Sequence, residues 1–238
     1  MIKTNYPNPD VTVVIPAYNE EEVIGSVLRG VCDAASKMLE SCEVIVVNDR
    51  STDRTSQIVK EFPEIILLTS TNPRGKGGAL RMGFEAAKGK CIVMMDGDGS
   101  HQAADIPKLA QEALKTKGLV IGSRIYGGSQ EYTRIRAFGN IFFTWLFGLV
   151  HGRYLSDALN GFKAFDRDVY RKFYYSSSGF EIEIELLVNT LALGRSITEV
   201  PSMELKRQGG RVKSRVLKDG FKFLFRIIQE RFRPRTPR

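Results

Sequence analysis

Three features of this sequence predict an α/β fold with a mainly parallel central sheet flanked by helices. Short apolar runs at 11–15, 44–47, 65–68, 92–95 and 119–121 are rich in β-branched residues and end at turn or charged residues, as buried parallel strands do. The stretches between them have the length and periodicity of helices. The residues just past the strand ends are small and polar, which suits a ligand rim at the carboxyl edge of an open sheet.

The first strand, 11–15, ends at Pro16-Ala17-Tyr18-Asn19-Glu20. A helix is predicted over 20–39, with Asn19 as N-cap and Glu22 three residues on. The second strand, 44–47, leads into Asn48-Asp49-Arg50-Ser51 and a helix over 52–61. The third, 65–68, precedes Arg74-Gly75-Lys76-Gly77-Gly78 and a helix over 78–88. That glycine-rich segment lacks P-loop spacing and the Lys-Ser/Thr pair. It is either a helix-entry turn or a seat for a diphosphate at a helix N-terminus. The fourth strand, 92–95, runs into Asp96-Gly97-Asp98-Gly99-Ser100, followed by a helix over 106–116. The fifth, 119–121, is followed by Gly122-Ser123-Arg124. No G-x-G-x-x-G follows the first strand, which argues against a dinucleotide-dependent oxidoreductase.

Beyond residue 125 the pattern changes. The aromatic, nearly uncharged run 138–150 is too short to span a bilayer, and is either a core helix or a helix lying in a membrane interface. Over 180–193, Phe180, Ile184, Leu187 and Leu191 share one helical face, with Glu181 and Glu185 on its neighbour. Like charges four apart repel, so solvent or a cationic neighbour has to compensate. From 217 onward Phe221, Leu224, Phe225, Ile228 and Phe232 recur at helical spacing among Lys218, Lys222, Arg226, Arg231, Arg233 and Arg235. Such a basic amphipathic helix suits an anionic membrane surface, or packs on the domain with a solvated basic side.

Composition narrows the partners. The 238 residues, 42% hydrophobic and 26% charged, fit one large globular domain, or a domain with a tail. A net charge of +8 admits nucleic acid, anionic lipid or a phosphorylated ligand, but no nucleic-acid motif accompanies it. Cys32, Cys42 and Cys91 have no metal-binding spacing. They suit a reducing cytoplasm. The polar first ten residues exclude a signal peptide, and no run is long enough to cross a membrane. The expected location is therefore cytoplasmic, peripheral on the cytoplasmic face of the membrane.

The chemistry centres on Asp96-Gly97-Asp98. Side chains at i and i+2 of an extended chain point the same way, so these carboxylates can converge on one divalent ion, with oxygen ligands suiting Mg²⁺ or Mn²⁺. Gly97 and Gly99 leave room for a close ligand. An ordinary Asp-Gly turn is the alternative.

In this order the rim motifs resemble the GT-A glycosyltransferases that act on polyprenyl phosphates, the dolichol-phosphate mannosyltransferase-like family. The resemblance runs from about residue 11 to the basic segment near Lys218. Val13-Val14-Ile15-Pro16-Ala17-Tyr18-Asn19-Glu20 is similar to the family's opening strand and nucleotide-binding turn. The segment 48–55 resembles D-D-x-S-x-D-x-T, Gly75-Lys76-Gly77 its G-K-G, and Asp96-Gly97-Asp98 its D-x-D. Later come Gly122-Ser123-Arg124, Arg134 with Arg136, Asp157-Ala158-Leu159-Asn160-Gly161-Phe162-Lys163, Gly179-Phe180-Glu181 and Glu199-Val200-Pro201. These resemble the family's G-S-R, interface arginine, D-x-x-S-G-F-R, G-F-E and E-V-P elements. Arg207 and the segment 208–215 resemble its R-x-x-G-x-S-K acceptor loop. Asn48 stands where the first acid of a pair is usual, Asn160 replaces a serine, Gln102 a proline, and Arg211-Val212 alters the acceptor loop.

The resemblance implies inverting transfer of a hexose or N-acetylhexosamine from a nucleoside diphosphate sugar (GDP-mannose, UDP-glucose or UDP-GlcNAc) to a polyprenyl or dolichyl monophosphate. It implies donor contacts from Pro16, Tyr18, Glu20, Asp49, Lys76, Asp96 and Gly97, and metal ligation by Asp96 and Asp98 with Ser100 or water completing the shell. Acceptor contacts fall to Arg124, Arg136, Asn160, Arg207 and Lys213. The reacting centre would involve Asp98, Arg124 and Asp157, the last as the base or positioning carboxylate if one exists. His101 is expected to orient the metal loop, and Glu181 to organise the acceptor side through an arginine. The resulting domains are a flexible 1–10, a catalytic 11–215 and a membrane-associating tail 216–238, with the bilayer reached by the chain alone or through a small membrane-anchoring subunit. A GT-A enzyme with a soluble or polysaccharide acceptor shares the donor half but gives no reason for the basic tail. A sugar-phosphate nucleotidyltransferase would need a glycine-rich activation loop, absent here. A membrane adaptor would explain the tail but not the rim of acids and arginines.

Overall fold

A computed structural model describes residues 8–38, 41–71, 75–131, 133–209 and 216–235, with backbone only for 216–218. The strands are β1 (Val11–Ala17), β2 (Cys42–Asn48), β3 (Ile66–Thr69), β4 (Cys91–Met94), β5 (Leu119–Ser123), β6 (Lys163–Asp166) and β7 (Ile197–Pro201). The helices are α1 (Ile24–Ser36), α2 (Thr55–Lys60), α3 (Gly75–Ala86), α4 (Ile106–Thr116), α5 (Arg124–Gly127), α6 (Arg134–His151), α7 (Arg167–Arg171), α8 (Ile182–Ala192) and α9 (Val216–Phe232).

The strands form one sheet in the order β3-β2-β1-β4-β6-β5-β7. β6 runs antiparallel to both of its neighbours, β4 and β5, and the other pairings are parallel. From β1 the chain steps outward through β2 to β3, then returns to place β4 on β1's other side. The carboxyl ends of β1 and β4 thus flank a topological switch point, where an open sheet leaves a crevice.

Successive strand residues feed opposite faces. Val11, Val13 and Ile15 pack with Ile24, Leu28 and Val31 of α1 and Leu109 of α4. Val14, Ile45 and Val47 pack with Leu80 and Phe84 of α3, Phe147 of α6, Ile184 and Leu187 of α8, and Ile227 of α9. Helix α3 lies so close to the sheet that a Cβ on Gly83 would stand 2.3 Å from Val14 Cγ1. Phe84 meets the Phe165 and Tyr170 rings edge-on, each at a centroid distance of 5.2 Å.

Several expectations are corrected. Asn19 does not cap α1, which starts at Ile24 without a side-chain cap. Asn19 is left-handed at φ 51°, and its Oδ1 accepts from the Thr52 N–H at 2.8 Å, tying the turns after β1 and β2 together. Helix α3 begins at Gly75, three residues earlier than the periodicity suggested. β6 and β7 were not foreseen, being short and rich in polar ends. For the acids of α8, buried with every residue from Ile182 to Thr190, the two compensations expected narrow to a cationic neighbour. Glu185 is compensated by Arg226 and Arg233 of α9 at 3.2 and 2.9 Å.

Helices α6 and α9 each have an inner and an outer face. Asn140, Thr144, Phe147 and Gly148 of α6 are buried, as are Ile227 and Glu230 of α9, and Phe143 meets Phe223 between them at 5.9 Å. The run 138–150 is therefore part core and part surface. The expected apolar stripe of the tail faces outward, with Phe221, Phe225, Ile228 and Phe232 exposed, while Arg226 and Arg233 turn inward to Glu185 and Glu230. Among the described residues no helix is long and apolar enough to cross a membrane.

Phe84→Ala removes a fully buried ring packed against Phe165 and Tyr170 and is expected to lower stability by about 3–5 kcal/mol, measured as a fall in the urea midpoint.

Candidate active site

Two cavities open at the carboxyl edge of the sheet and share Lys76, Asp96, Asp98, Phe180, Arg207 and Asp219. The larger, about 860 Å³, lies over the turns after β1 and β2. Its walls include Pro16, Tyr18, Glu20 and Asp49, with Gly75 and Lys76 from the first turn of α3. The turns are stitched together locally: the Glu20 N–H donates to Thr55 Oγ1 at 2.8 Å, and Asp53 accepts from the N–H groups of Thr55 and Glu21. Asp53 and Thr55 thus shape the rim and do not line it. Asp49 Oδ2 accepts from the Gly75 N–H at 2.9 Å, joining the end of β2 to the start of α3. Gly75 takes φ +69°, and a Cβ there would lie 2.6 Å from the Ser178 carbonyl oxygen, so only glycine fits this helix entry.

Asp96 and Asp98 form the floor between the cavities. Gly97 passes close over β1, where a Cβ would meet the Pro16 carbonyl oxygen at 3.2 Å. Lys76 Nζ lies 2.8 Å from Asp96 Oδ1, 3.0 Å from Glu183 Oε1 and 4.9 Å above the Phe180 ring centroid. Burial, the largest single influence, would raise the Asp96 carboxyl, yet the charge and hydrogen bond of Lys76 together with the surrounding positive groups bring the pKa down to about 2. Burial works against the Lys76 charge too, and Asp96 and Glu183 reverse it, placing that ammonium above the ordinary lysine range. Asp98 Oδ1 accepts from Ser100 Oγ at 2.6 Å and the Ser100 N–H at 3.0 Å, while Oδ2 meets Arg207 Nη2 at 2.5 Å. His101 Nδ1 accepts from the Asp96 N–H at 3.1 Å, and its ring stacks on Phe162. His101 thereby braces the loop.

Among the described residues no group of three or more His, Cys, Asp and Glu side chains could hold a metal. Two adjacent carboxylates, each already drawing in a cation, nevertheless fit a hard divalent ion. Mg²⁺ characteristically takes one or two carboxylates and leaves its other positions to water and substrate phosphate. Ser100 is held against Asp98, within the same loop.

The smaller cavity, about 230 Å³, is polar at its floor and apolar toward α6 and α9. Arg124, Arg136, Asn160 and Arg207 line it, with Ile135 and Phe143 from α6 and Phe223 from α9. Arg124 is gripped by Asp157: Oδ2 accepts from its N–H and Nε at 3.0 and 2.7 Å, and Oδ1 from Nη2 at 2.7 Å. Asn140 Nδ2 donates to the same Oδ1 at 3.0 Å, and Glu204 takes Arg124 Nη1 at 3.1 Å. Asp157 is fully buried and lines neither cavity, so it acts on the site through the lining residues that it holds, Arg124 and Asn140. Burial would raise its carboxyl, but the Arg124 hydrogen bonds and charge hold it below the usual range. Glu199 anchors this loop from β7, accepting from Ser156 Oγ at 2.7 Å and the Asp157 N–H at 3.0 Å.

Asn160 spends its side chain on the backbone, with Nδ2 donating to the Gly122 carbonyl and Oδ1 accepting from the Phe162 N–H. Lys163 is fully buried and donates to the Ala158 and Asn160 carbonyls. Its burial brings the ammonium pKa down to about 8. Arg136 approaches Glu131 at 3.9 Å. Lys213 lies outside the described residues.

Glu181 makes no ion pair with an arginine among the described residues, contrary to expectation, and accepts from the Gly179 N–H at 3.2 Å. Glu183, which the sequence reading passed over, is the acid that reaches the floor. Its one signal is its place among Glu181 and Glu185 in an otherwise apolar run, since a buried acid needs a cation.

The family model described as glycosyl transferase family 2 matches residues 12–174. The chain belongs to glycosyl transferase family 2. An uncharacterised protein of Methanocaldococcus jannaschii is 30% identical, with alignment over 93% of this chain and 92% of that protein. An undecaprenyl-phosphate mannosyltransferase of Micrococcus luteus is 32% identical over 85% of this chain and 86% of its own. A dolichyl-phosphate beta-glucosyltransferase of Trichomonas vaginalis is 31% identical over 85% and 68%. The glycosyltransferase also superimposes on glucosyl-3-phosphoglycerate synthase from Mycobacterium tuberculosis, solved with Mn²⁺, UDP-glucose and phosphoglyceric acid. The TM-score is 0.75 at 20% identity, covering 95% of this chain and 81% of that one. Its architecture is thus the GT-A fold.

In this glycosyltransferase Asp157→Asn removes one of the two carboxylates that pair with Arg124 and leaves Glu204, an expected cost of about 1.5–3 kcal/mol at pH 7. Because the folded pKa lies below the unfolded one, the unfolded chain binds the proton first. The stabilisation is therefore present above the ordinary carboxylate range and lost as pH falls through the lower folded value. Urea midpoints measured from pH 7 down to about 2.5 should converge for wild type and variant.

Proposed function

We propose that the enzyme transfers a hexose or N-acetylhexosamine from a nucleoside diphosphate sugar to the phosphate of a polyprenyl monophosphate at a membrane surface. The observation that carries this reading is the position of the smaller cavity. Its lining combines Arg124, Arg136 and Arg207 with apolar residues of α6 and α9. The outward faces of these helices expose Phe138, Trp145, Leu149, Phe221, Phe225 and Phe232. Phe138 is 73% and Phe232 79% exposed, and neighbouring aromatics in such numbers mark an interaction surface. Exposed Arg134, Lys222 and Arg231 border this face and suit anionic headgroups. The tail 216–238 then serves the membrane with its outer face and the domain with its inner one. The named relatives that act on undecaprenyl and dolichyl phosphates support the same acceptor class.

The larger cavity takes the nucleotide, with Asp49 positioned for the base and Pro16, Tyr18 and Glu20 along its wall. A Mg²⁺ or Mn²⁺ ion held by Asp96 and Asp98 would supply positive charge to the departing diphosphate. Arg124, Arg136 and Arg207 present guanidinium groups to the acceptor phosphate. A phosphate oxygen forms the new bond to the anomeric carbon as the bond to the diphosphate breaks, and attack from the opposite face inverts the centre. The nucleophile is already anionic, so no strong base is required. Asp157 contributes by fixing Arg124.

Incubation with Mn²⁺, undecaprenyl phosphate and labelled nucleotide sugars should give a labelled lipid with a β linkage by NMR. Asp98→Ala should lower turnover roughly a thousandfold and remove Mn²⁺-dependent donor binding. Label appearing only on soluble or polysaccharide acceptors would establish the other acceptor class. Phe138→Ser combined with Phe225→Ser should weaken sedimentation with anionic vesicles by roughly tenfold or more.

A further inference from the structure

Each carboxylate on the floor is neutralised by a cation of the chain itself, and the two cations are held differently. Lys76 is clamped between Asp96 and Glu183 over the Phe180 ring, with only 11% of its side chain exposed. Gly161 closes against it so tightly that a Cβ there would lie 2.7 Å from Lys76 Nζ. Arg207 is 23% exposed and extends from the irregular segment after β7. Its N–H is fixed to Glu131 Oε1 at 2.8 Å, while its guanidinium reaches Asp98 and borders both cavities.

Asp98 has one oxygen to offer an incoming ion. Ser100 takes Oδ1 through both its hydroxyl and its N–H, and Arg207 takes Oδ2 at 2.5 Å. A divalent ion at Oδ2 would face a guanidinium at contact distance, and like charges that close repel strongly in a partly buried site. Lys76 cannot yield without leaving Glu183 buried and unpaired by it. Arg207 can swing toward the smaller cavity, whose wall it already forms.

We propose that Arg207 is an internal stand-in for the divalent ion on Asp98 and leaves it, when the metal loads, for the acceptor phosphate. The inference rests on reading the cleft as a metal-dependent sugar-nucleotide site with a phosphate acceptor. Metal and donor then bind before the acceptor. Without the metal, Arg207 is committed to Asp98 and the acceptor cavity lacks one of its guanidinium groups. The coupling is reciprocal, so a bound acceptor phosphate also raises metal affinity by the same factor.

Mn²⁺ binding to the full chain is followed by the loss of the free-ion EPR signal. Farnesyl phosphate binding is followed by calorimetry, with EDTA or with Mn²⁺ plus UDP or GDP; glycerol 3-phosphate forms a parallel arm that separates lipid from soluble phosphates. Wild type should bind one of these monophosphates roughly tenfold more tightly with metal and nucleotide than with EDTA. Arg207→Gln should bind Mn²⁺ severalfold more tightly without nucleotide and lose the metal-dependent gain in phosphate affinity. Arg207→Lys, which keeps the charge, should fall between them and guards against a misfolded glutamine variant. Mn²⁺ affinity unchanged in both variants, or phosphate affinity in wild type that is indifferent to Mn²⁺, would overturn the exchange while leaving the metal and donor site standing. Failure of wild type to bind Mn²⁺ or nucleotide at all would overturn the functional reading itself.

Discussion

The cleft depends on keeping Asp96 and Asp98 charged, side by side and partly dehydrated at the end of β4. Like charges at neighbouring positions repel, and burial penalises a charged carboxylate. The fold answers with Lys76 inserted from the first turn of α3 and backed by Glu183 of α8. Lys76 and the neighbouring positive groups together offset the burial cost at Asp96, so that carboxylate is ionised at neutral pH. Three elements distant in sequence must therefore meet at one ammonium group: the start of α3, the loop after β4 and the start of α8. The close seats of Gly75, Gly77 and Gly161 around this point follow from that requirement.

The acceptor side repeats the same device with the charges exchanged. A guanidinium, Arg124, must point into a cavity, and a fully buried carboxylate, Asp157, fixes its orientation with three hydrogen bonds. Behind Asp157 the loop is pinned by Glu199 from β7 and by the buried Lys163 of β6. The antiparallel strand β6 accounts for this placement: by inserting between β4 and β5 it brings the loop 157–162 against the end of β4. Donor and acceptor halves thus share one floor, with Arg207 able to serve either.

Helices α6 and α9 meet conflicting demands by using two faces each. In α9, Phe223, Arg226, Ile227 and Glu230 recur at helical spacing and face the domain, whereas Phe221, Phe225, Ile228 and Phe232 recur at the same spacing and face outward. Apolar periodicity alone marks both stripes without ranking them. Glu185 settles the orientation, because a carboxylate buried in α8 draws Arg226 and Arg233 inward and the phenylalanines of the other stripe turn to the surface.

Whatever depends on neighbouring residues can be read directly along the chain. The strand leading into Asp96-Gly97-Asp98, the polar rims after β1 and β2, and the alternation of strands and helices were all legible, because side-chain direction along an extended chain and helical periodicity are local properties. The family resemblance added the arginines, since its motifs lie in order along one chain. Tertiary structure alone decided which charges neutralise which. Lys76 and Glu183 are 107 residues apart, and Arg207 reaches Asp98 from the far end of the sheet. Such pairings are chosen by the cost of burying an unpaired charge, which exists only once the chain has closed around it. For the same reason Glu183 was overlooked in favour of Glu181: along the sequence the two acids look alike, and only folding puts one of them against a lysine.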